Sequence, residues 1–66
     1  EEALVRLAYT TADKVRTTKK SILLEPMNPF ERRLIHTTLN DIPDVETKSD
    51  GDGLYKQVRV FYKGIR

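Results

Sequence analysis

The sequence contains no cysteine and no tryptophan, and it has one histidine, one methionine and three glycines among 66 residues. Without cysteine the chain has no disulfide, no thiolate metal ligand and no cysteine nucleophile, so its fold must depend on a packed core. The lack of disulfides fits a reducing compartment, and we expect a cytoplasmic location. No apolar run approaches the roughly 20 residues that a membrane-spanning helix needs, so we expect no membrane contact from this domain.

The length of the chain allows one small domain. Because it begins with Glu-Glu rather than Met and shows no basic segment followed by an apolar one, we interpret residues 1–66 as a single domain cut from a longer protein. Charged residues make up 33% of the chain, and the formal net charge is +2. Cations cluster at 14–20 and 56–66, whereas acids gather at 41–52, and this asymmetry suits an anionic partner.

Two apolar patterns predict the first helix and the first strand. Residues 1–17 are predicted to form a helix, because apolar side chains recur at the spacing that lines one helical face: Leu4, Ala8, Ala12 and Val15. The compact run at 21–25 predicts a strand, which Pro26 ends.

The strongest local signal in the sequence is the start of a second helix. Asn28 can act as the N-cap, Pro29 suits the first helical position, and Glu31 can complete a capping box. The helix is predicted to run to about Leu39, because Pro43 disfavours a helical residue before it. Helical spacing divides its residues between a predicted core face, with Phe30, Leu34, Ile35, Thr38 and Leu39, and a predicted solvent face, with Arg32, Arg33, His36 and Asn40.

The C-terminal part of the chain predicts two more strands. Residues 44–49 alternate as a half-buried strand does, 50–53 are predicted as a turn, and 54–62 as the last and central strand. The order helix, strand, helix, strand, strand implies an α+β fold with both helices on one face of a three-stranded mixed sheet. A right-handed crossover makes strands one and two parallel, with strand three between them and antiparallel to both, in the order 1-3-2.

Arg32 and His36 are four residues apart on the predicted solvent face, so their side chains can reach the same ligand group. A guanidinium grips phosphate bidentately or stacks on a base, and an imidazole can stack or donate to phosphate. Asn40 lies one turn further along the helix, and Arg33 flanks the pair. By spacing alone, an Arg and a His so placed more often mark an ordinary solvated helix face than a binding site.

The surrounding sequence is more specific than the pair. The string at 26–36, PMNPFERRLIH, closely resembles the central segment of the R-3-H domain family, which is named for an Arg separated by three residues from a His. The resemblance continues through 45–49 and the Gly-containing turn, and it is closest to the branch at the C-terminus of bacterial Jag proteins. The last strand departs from that branch at 55–57 and 61–62.

The resemblance implies that Arg32 and His36 are the signature pair of a domain that binds single-stranded nucleic acid. We expect single-stranded RNA in the first place, with single-stranded DNA as the second choice, and a KH domain in the same parent chain. The residues expected to bind the nucleic acid, through phosphate and stacking contacts, are Arg32, His36, Arg33, Asn40, Lys19 and Lys20.

The alternative is a protein-interaction module. The sheet face away from the helices is predicted to carry Leu23, Tyr55, Arg59 and Phe61. Aromatic residues beside a cation could stack bases, but the same surface could dock a neighbouring domain or a second copy, and apolar Leu23 favours docking.

Catalysis and metal binding find little support in the sequence. His36 has no Cys partner, no Gly-rich phosphate loop is present, and 50–53 is far shorter than a calcium loop of about 12 residues. We therefore expect a binding protein with no catalytic residue, no metal site and no cofactor, rather than an enzyme.

Overall fold

A computed structural model of the chain describes residues 2–64. Its elements, in chain order, are helix α1 (Glu2–Thr18), strand β1 (Ile22–Leu23), helix α2 (Pro29–Leu39), strand β2 (Val45–Asp50) and strand β3 (Gln57–Tyr62). Residue 1, where the predicted first helix begins, and Arg66 of the basic C-terminal cluster lie outside the described residues.

The sheet has the predicted topology. Its strand order is β1-β3-β2, and β3 is antiparallel to both neighbours. β1 and β2 therefore run in the same direction on either side of β3, as the sequence predicts. In the described part of the chain, neither helix has the length and hydrophobicity that crossing a membrane takes.

The core lies between the two helices and one face of the sheet. Val58 and Val60 alternate along β3, so their side chains point to the same face, and both are fully enclosed by the core. The other buried apolar residues come from both helices, from β2 and from the segment between β1 and α2: Ala8, Ala12, Val15, Leu24, Met27, Ile35, Leu39 and Val45. This packing fixes the helices against the sheet.

The start of α2 is fixed by the predicted capping box. The side-chain oxygen of Asn28 accepts the Glu31 N–H at 2.8 Å, and the Glu31 carboxylate accepts the Asn28 N–H at 3.0 Å. Pro29 occupies the first turn, and Ile35 and Leu39 bury the inner face of the helix. Together these contacts set the rotation of α2 about its axis and turn Arg32 and His36 toward β2.

The prediction that Phe30 belongs to the core is wrong, because its side chain is 73% exposed. At about 100° per residue, Phe30 lies about 140° from Ile35 and about 180° from Leu39 around the helix. The buried stripe of α2 is therefore narrower than the predicted core face, and Phe30 falls outside it.

Two strands are shorter than predicted. β1 covers Ile22–Leu23 rather than 21–25, and β3 begins at Gln57 rather than at residue 54. After β1, the backbone hydrogen bonds to the β3 side of the sheet are interrupted at Glu25 and Pro26. A single antiparallel bridge, between Met27 and Lys56, follows. Pro26 lacks the N–H that a continuous ladder needs. The loop between β2 and β3 is correspondingly longer than the predicted turn and contains Gly51 and Gly53 at positive φ.

We expect Asn28→Ala to lower the free energy of unfolding by about 1 kcal/mol, because the Glu31 N–H loses its partner. Asn28→Ser keeps a side-chain oxygen at the N-cap and is the matched control, with an expected change of a few tenths of a kcal/mol. Urea denaturation of the two variants measures the difference. Equal stability of the alanine and serine variants would contradict the role of the cap.

Candidate nucleic-acid interface

A groove of about 380 Å³ runs between α2 and β2. Its lining residues are Pro29, Arg32, Arg33 and His36 from the helix, Thr47, Lys48 and Ser49 from β2, and Val58 from β3. None of these lining residues is acidic, whereas three of them carry a full positive charge. The groove therefore favours an anionic occupant.

The signature pair meets β2 because the helix and the strand have matching repeats. Arg32 and His36 are separated by about 6 Å along the helix, and residues two apart on a strand are separated by about 6.7 Å and share a face. The guanidinium Nη1 of Arg32 donates to Ser49 Oγ at 3.4 Å, and His36 Nδ1 contacts Thr47 Oγ1. Two parallel side-chain contacts thus join α2 to β2.

Arg32 also ties two further segments to the helix. Its Nε donates to the carbonyl of Met27 at 3.2 Å, and its Nη2 donates to the carbonyl of Leu54 at 3.1 Å. With Ser49, the guanidinium holds the segment before α2, the end of β2 and the loop that leads into β3. A planar group with five N–H donors suits such a junction.

The prediction that Arg32 faces solvent is therefore wrong in part, because its side chain is half-buried and its guanidinium is bonded within the domain. On the helix it lies at the edge of the buried stripe, on the side next to β2. His36 is exposed, as predicted, although its Nδ1 is engaged by Thr47.

Arg33 is the groove cation that keeps its charge available. The residue is exposed, and within residues 2–64 its guanidinium takes part in no ion pair or side-chain hydrogen bond. It lies about 100° around the helix from Arg32, away from the sheet. The two adjacent arginines therefore have different surroundings, since Arg32 is bonded inside the domain and Arg33 is exposed at the groove.

The free edge of β2 adds backbone groups to the groove. The Lys63 N–H donates to the Asp44 carbonyl at 3.0 Å, which sets the alternation of hydrogen-bonded pairs along β2 and β3. By that alternation, the backbone N–H and C=O groups of Thr47 and Ser49 point away from β3. They lie at an edge strand and can bond a ligand in the groove.

Asn40 lies beyond the His36–Thr47 contact. A smaller cavity of about 120 Å³ is lined there by His36, Leu39, Asn40, Glu46, Thr47 and Lys63. Glu46 and Lys63 both line this cavity, so its lining carries charges of both signs, unlike that of the groove. The structure brings Asn40 close to His36 but not into the groove with Arg33.

Lys19 and Lys20 lie away from the groove. Lys19 follows the last turn of α1 and has a left-handed backbone conformation, with φ 64°. Its backbone N–H donates to the Val15 carbonyl, and its ammonium donates to the Arg16 carbonyl at 2.7 Å. The same ammonium lies 4.7 Å from the centre of the Tyr62 ring. Tyr62 is at the opposite end of β3 from the segment that lines the groove, so the role of these lysines in binding stays a prediction.

The acids at 41–52 are partly neutralised within the domain. Asp44 is buried and accepts a hydrogen bond from Arg16 Nε at 3.0 Å. Asp50 accepts one from Arg59 Nε, also at 3.0 Å. In each pair a guanidinium compensates the negative charge of the carboxylate.

The outer sheet face differs from the predicted stacking surface. The guanidinium of Arg59 is bonded to Asp50 of β2 and, at 3.3 Å, to Ser21 just before β1, so it braces all three strands. Tyr55 lies in the loop before β3 and not on the strand. Leu23, at 42% exposure, and half-buried Phe61 remain on this face, where docking of a protein partner stays a prediction.

The predicted binding residues include none of the β2 residues that line the groove, which are Thr47, Lys48 and Ser49. The alternation of β2 indicates that Thr47 and Ser49 share a face, but it does not indicate which helical residues lie opposite. Lys48 carries no local signal that separates it from other surface lysines. Among residues 2–64, no group of three or more metal-ligating side chains is arranged to hold an ion.

Comparison with known proteins identifies the family. The sequence profile of the R-3-H domain matches residues 2–62. The RNA-binding protein KhpB of Clostridium symbiosum is 46% identical over 63 residues, covering 96% of this chain and 28% of that protein. The RNA-binding proteins KhpB of Bacillus subtilis and Lactiplantibacillus plantarum are 42% identical over 65 residues and 44% identical over 57 residues.

The match to the last two relatives covers 96% and 86% of this chain but 31% and 18% of those proteins. The chain thus spans less than a third of each relative. The family profile matches nearly the whole length of the chain, and Arg32 and His36 supply the signature pair. The chain therefore belongs to the R-3-H domain family.

Proposed function

We propose that this chain binds single-stranded nucleic acid, RNA in the first place, in the groove between α2 and β2. Membership of the R-3-H family and three relatives named as RNA-binding proteins support nucleic-acid binding rather than catalysis. The observation that carries the proposal is the charge of the groove, whose lining contains Arg32, Arg33, Lys48 and His36 and no acidic residue.

The groove residues have different roles in this proposal. Arg33 is exposed and contacts phosphate oxygens, to which the backbone N–H groups of Thr47 and Ser49 also donate. The side chain of Lys48 alternates to the other face of β2, where its positive charge lies at the edge of the groove. Arg32 holds the groove in shape through Met27, Ser49 and Leu54, and its charge adds to the positive potential. His36 uses Nδ1 toward Thr47, which leaves Nε2 for a phosphate or a base edge.

Binding by this domain alone is weak and depends on salt, because the groove neutralises few phosphates. The relatives are more than three times as long as the matched segment, and we propose that a KH domain in the same parent chain binds an adjacent stretch of the strand. Linking two such modules raises the affinity through effective concentration. The contacts are to phosphates and to base faces. They therefore favour single strands, whose bases are accessible, and discriminate little between base sequences.

Arg33→Ala should weaken binding of a labelled single-stranded RNA about tenfold at low salt, because one charge-assisted contact is worth about 1.5 kcal/mol. The slope of log affinity against log salt should fall by about 0.7, the value for one phosphate contact on a single strand. Stability should stay within about 0.5 kcal/mol of the parent, because Arg33 is exposed. Fluorescence anisotropy and thermal denaturation measure these quantities.

Arg6→Ala is the matched control for Arg33→Ala. Arg6 is an arginine of α1 with a side chain 77% exposed, and its loss changes the net charge by the same amount. We expect Arg6→Ala to bind RNA almost as the parent does. Equal losses for Arg6→Ala and Arg33→Ala would mean that net charge, and not the groove, governs binding.

Arg32→Ala should lower both stability and RNA affinity. The loss of stability should be about 2 kcal/mol, because two backbone carbonyls and Ser49 lose a charged donor at once. Arg32→Lys keeps the charge but not the planar fork, so it should recover little of the lost stability. Urea denaturation distinguishes these outcomes, and an Arg32→Lys variant as stable as the parent would contradict the proposed role of the guanidinium.

A further inference from the structure

The most exposed large apolar side chains of residues 2–64 are Phe30, Leu54 and Tyr55, at 73%, 64% and 60%. Each is more exposed than Tyr9, the next in order, at 50%. None of the three belongs to the core cluster. Phe30 lies far from Leu54 and Tyr55 in the sequence, but the fold brings it to the same end of the domain.

Backbone pairing places the loop residues beside the start of α2. Met27 and Lys56 form an antiparallel bridge, with the Met27 N–H on the Lys56 carbonyl at 2.9 Å and the Lys56 N–H on the Met27 carbonyl at 3.2 Å. The chain at 54–56 therefore runs antiparallel to 27–29, and Tyr55 lies next to the helix cap Asn28. Phe30 projects from the first turn of that helix.

Arg32 holds this end of the loop in place. Its Nη2 donates to the Leu54 carbonyl, and its Nε donates to the Met27 carbonyl on the opposite side of the bridge. Leu54 and Tyr55 are thus presented by a backbone that is bonded on both sides of Tyr55. An exposed aromatic on a fixed backbone has little conformational freedom to lose when it binds a ligand.

The apolar cluster of Phe30, Leu54 and Tyr55 is continuous with the basic groove. Pro29, which precedes Phe30, lines the groove, and so does Arg33, one helical turn after Phe30. At about 100° per residue, Phe30 and Arg33 point within about 60° of each other on the outer side of α2. A strand whose phosphates lie against Arg33 would therefore bring its bases to the aromatic rings.

We propose that Phe30 and Tyr55 form a base-stacking platform at the end of the groove, with Leu54 as an apolar edge between the ring of Tyr55 and the helix. This inference rests on the proposed function, because the strand must first bind in the groove. Base faces stack on aromatic rings without regard to sequence. The adjoining positive charge favours a nucleic-acid strand over an apolar protein surface as the occupant.

The test compares two strands that carry the same phosphates, a single-stranded oligonucleotide and an abasic strand of equal length. Because two rings each contribute about tenfold, the parent chain should bind the base-bearing strand about a hundredfold more tightly than the abasic strand. Phe30→Ala and Tyr55→Ala should each weaken binding of the base-bearing strand about tenfold and leave binding of the abasic strand unchanged. Both variants should unfold at the temperature of the parent, because both side chains are exposed.

Tyr9→Ala is the matched control, because it removes an exposed aromatic of α1 without touching the cluster. It should bind both strands as the parent does. Phe30→Trp supplies a direct signal, because the chain has no other tryptophan. Its fluorescence should be quenched by the base-bearing strand and not by the abasic strand.

Three results separate the failure of the platform from the failure of the groove. If Phe30→Ala and Tyr55→Ala bind both strands as the parent does while Arg33→Ala weakens both, the groove stands and the platform is overturned, which leaves the cluster to a protein partner. Equal weakening of both strands by the Phe30 and Tyr55 variants also overturns stacking. If the parent binds neither strand at low salt, the proposed function fails and the platform fails with it.

Discussion

The groove depends on the guanidinium of Arg32 more than on any other single group. It joins the carbonyls of Met27 and Leu54 to the hydroxyl of Ser49, so that α2, β2 and the loop before β3 share one donor. These segments have no continuous sheet or helix ladder between them. An ammonium at the same position could not supply three donors in one plane, which explains in physical terms why arginine suits this site.

The contacts of Arg32 also distinguish the structural role of this residue from the binding role that we propose for Arg33. Arg32 and His36 reach across to β2, and their side chains shape the groove wall. Arg33 faces outward, and its charge remains available to a phosphate. In the proposed binding mode, the signature pair therefore builds the surface on which the neighbouring Arg33 contacts the nucleic acid.

The features that could be predicted from the sequence are those fixed locally. The cap at Asn28 follows from residues that are close together in the chain, and the strand order of the sheet follows from the right-handed crossover. Both predictions are confirmed. Helical spacing gives the angle between Phe30 and Ile35, but it does not give the width of the buried stripe, so the prediction that Phe30 belongs to the core is wrong. The partners of Arg32 depend on the register of β2 and on the loop path, which are set by tertiary packing.

Lys19 illustrates the same limit for charge patterns. A cluster of cations at 14–20 indicates an anion site by composition, but Lys19 takes a left-handed backbone at the end of α1, and its ammonium is engaged by Arg16 and Tyr62. A left-handed non-glycine residue has no clear sequence signal. The distribution of positive charge along the sequence therefore does not indicate which cations are engaged by other groups of the domain.

The most direct test of the binding site is a titration of isotope-labelled chain with a short single-stranded RNA at low salt, followed by backbone amide NMR signals. Binding in the groove predicts the largest shifts at Arg33 and His36 of α2 and along Thr47 to Ser49 of β2. Shifts confined to Leu23, Arg59 and Phe61 on the outer sheet face, or no shifts at all, would contradict it.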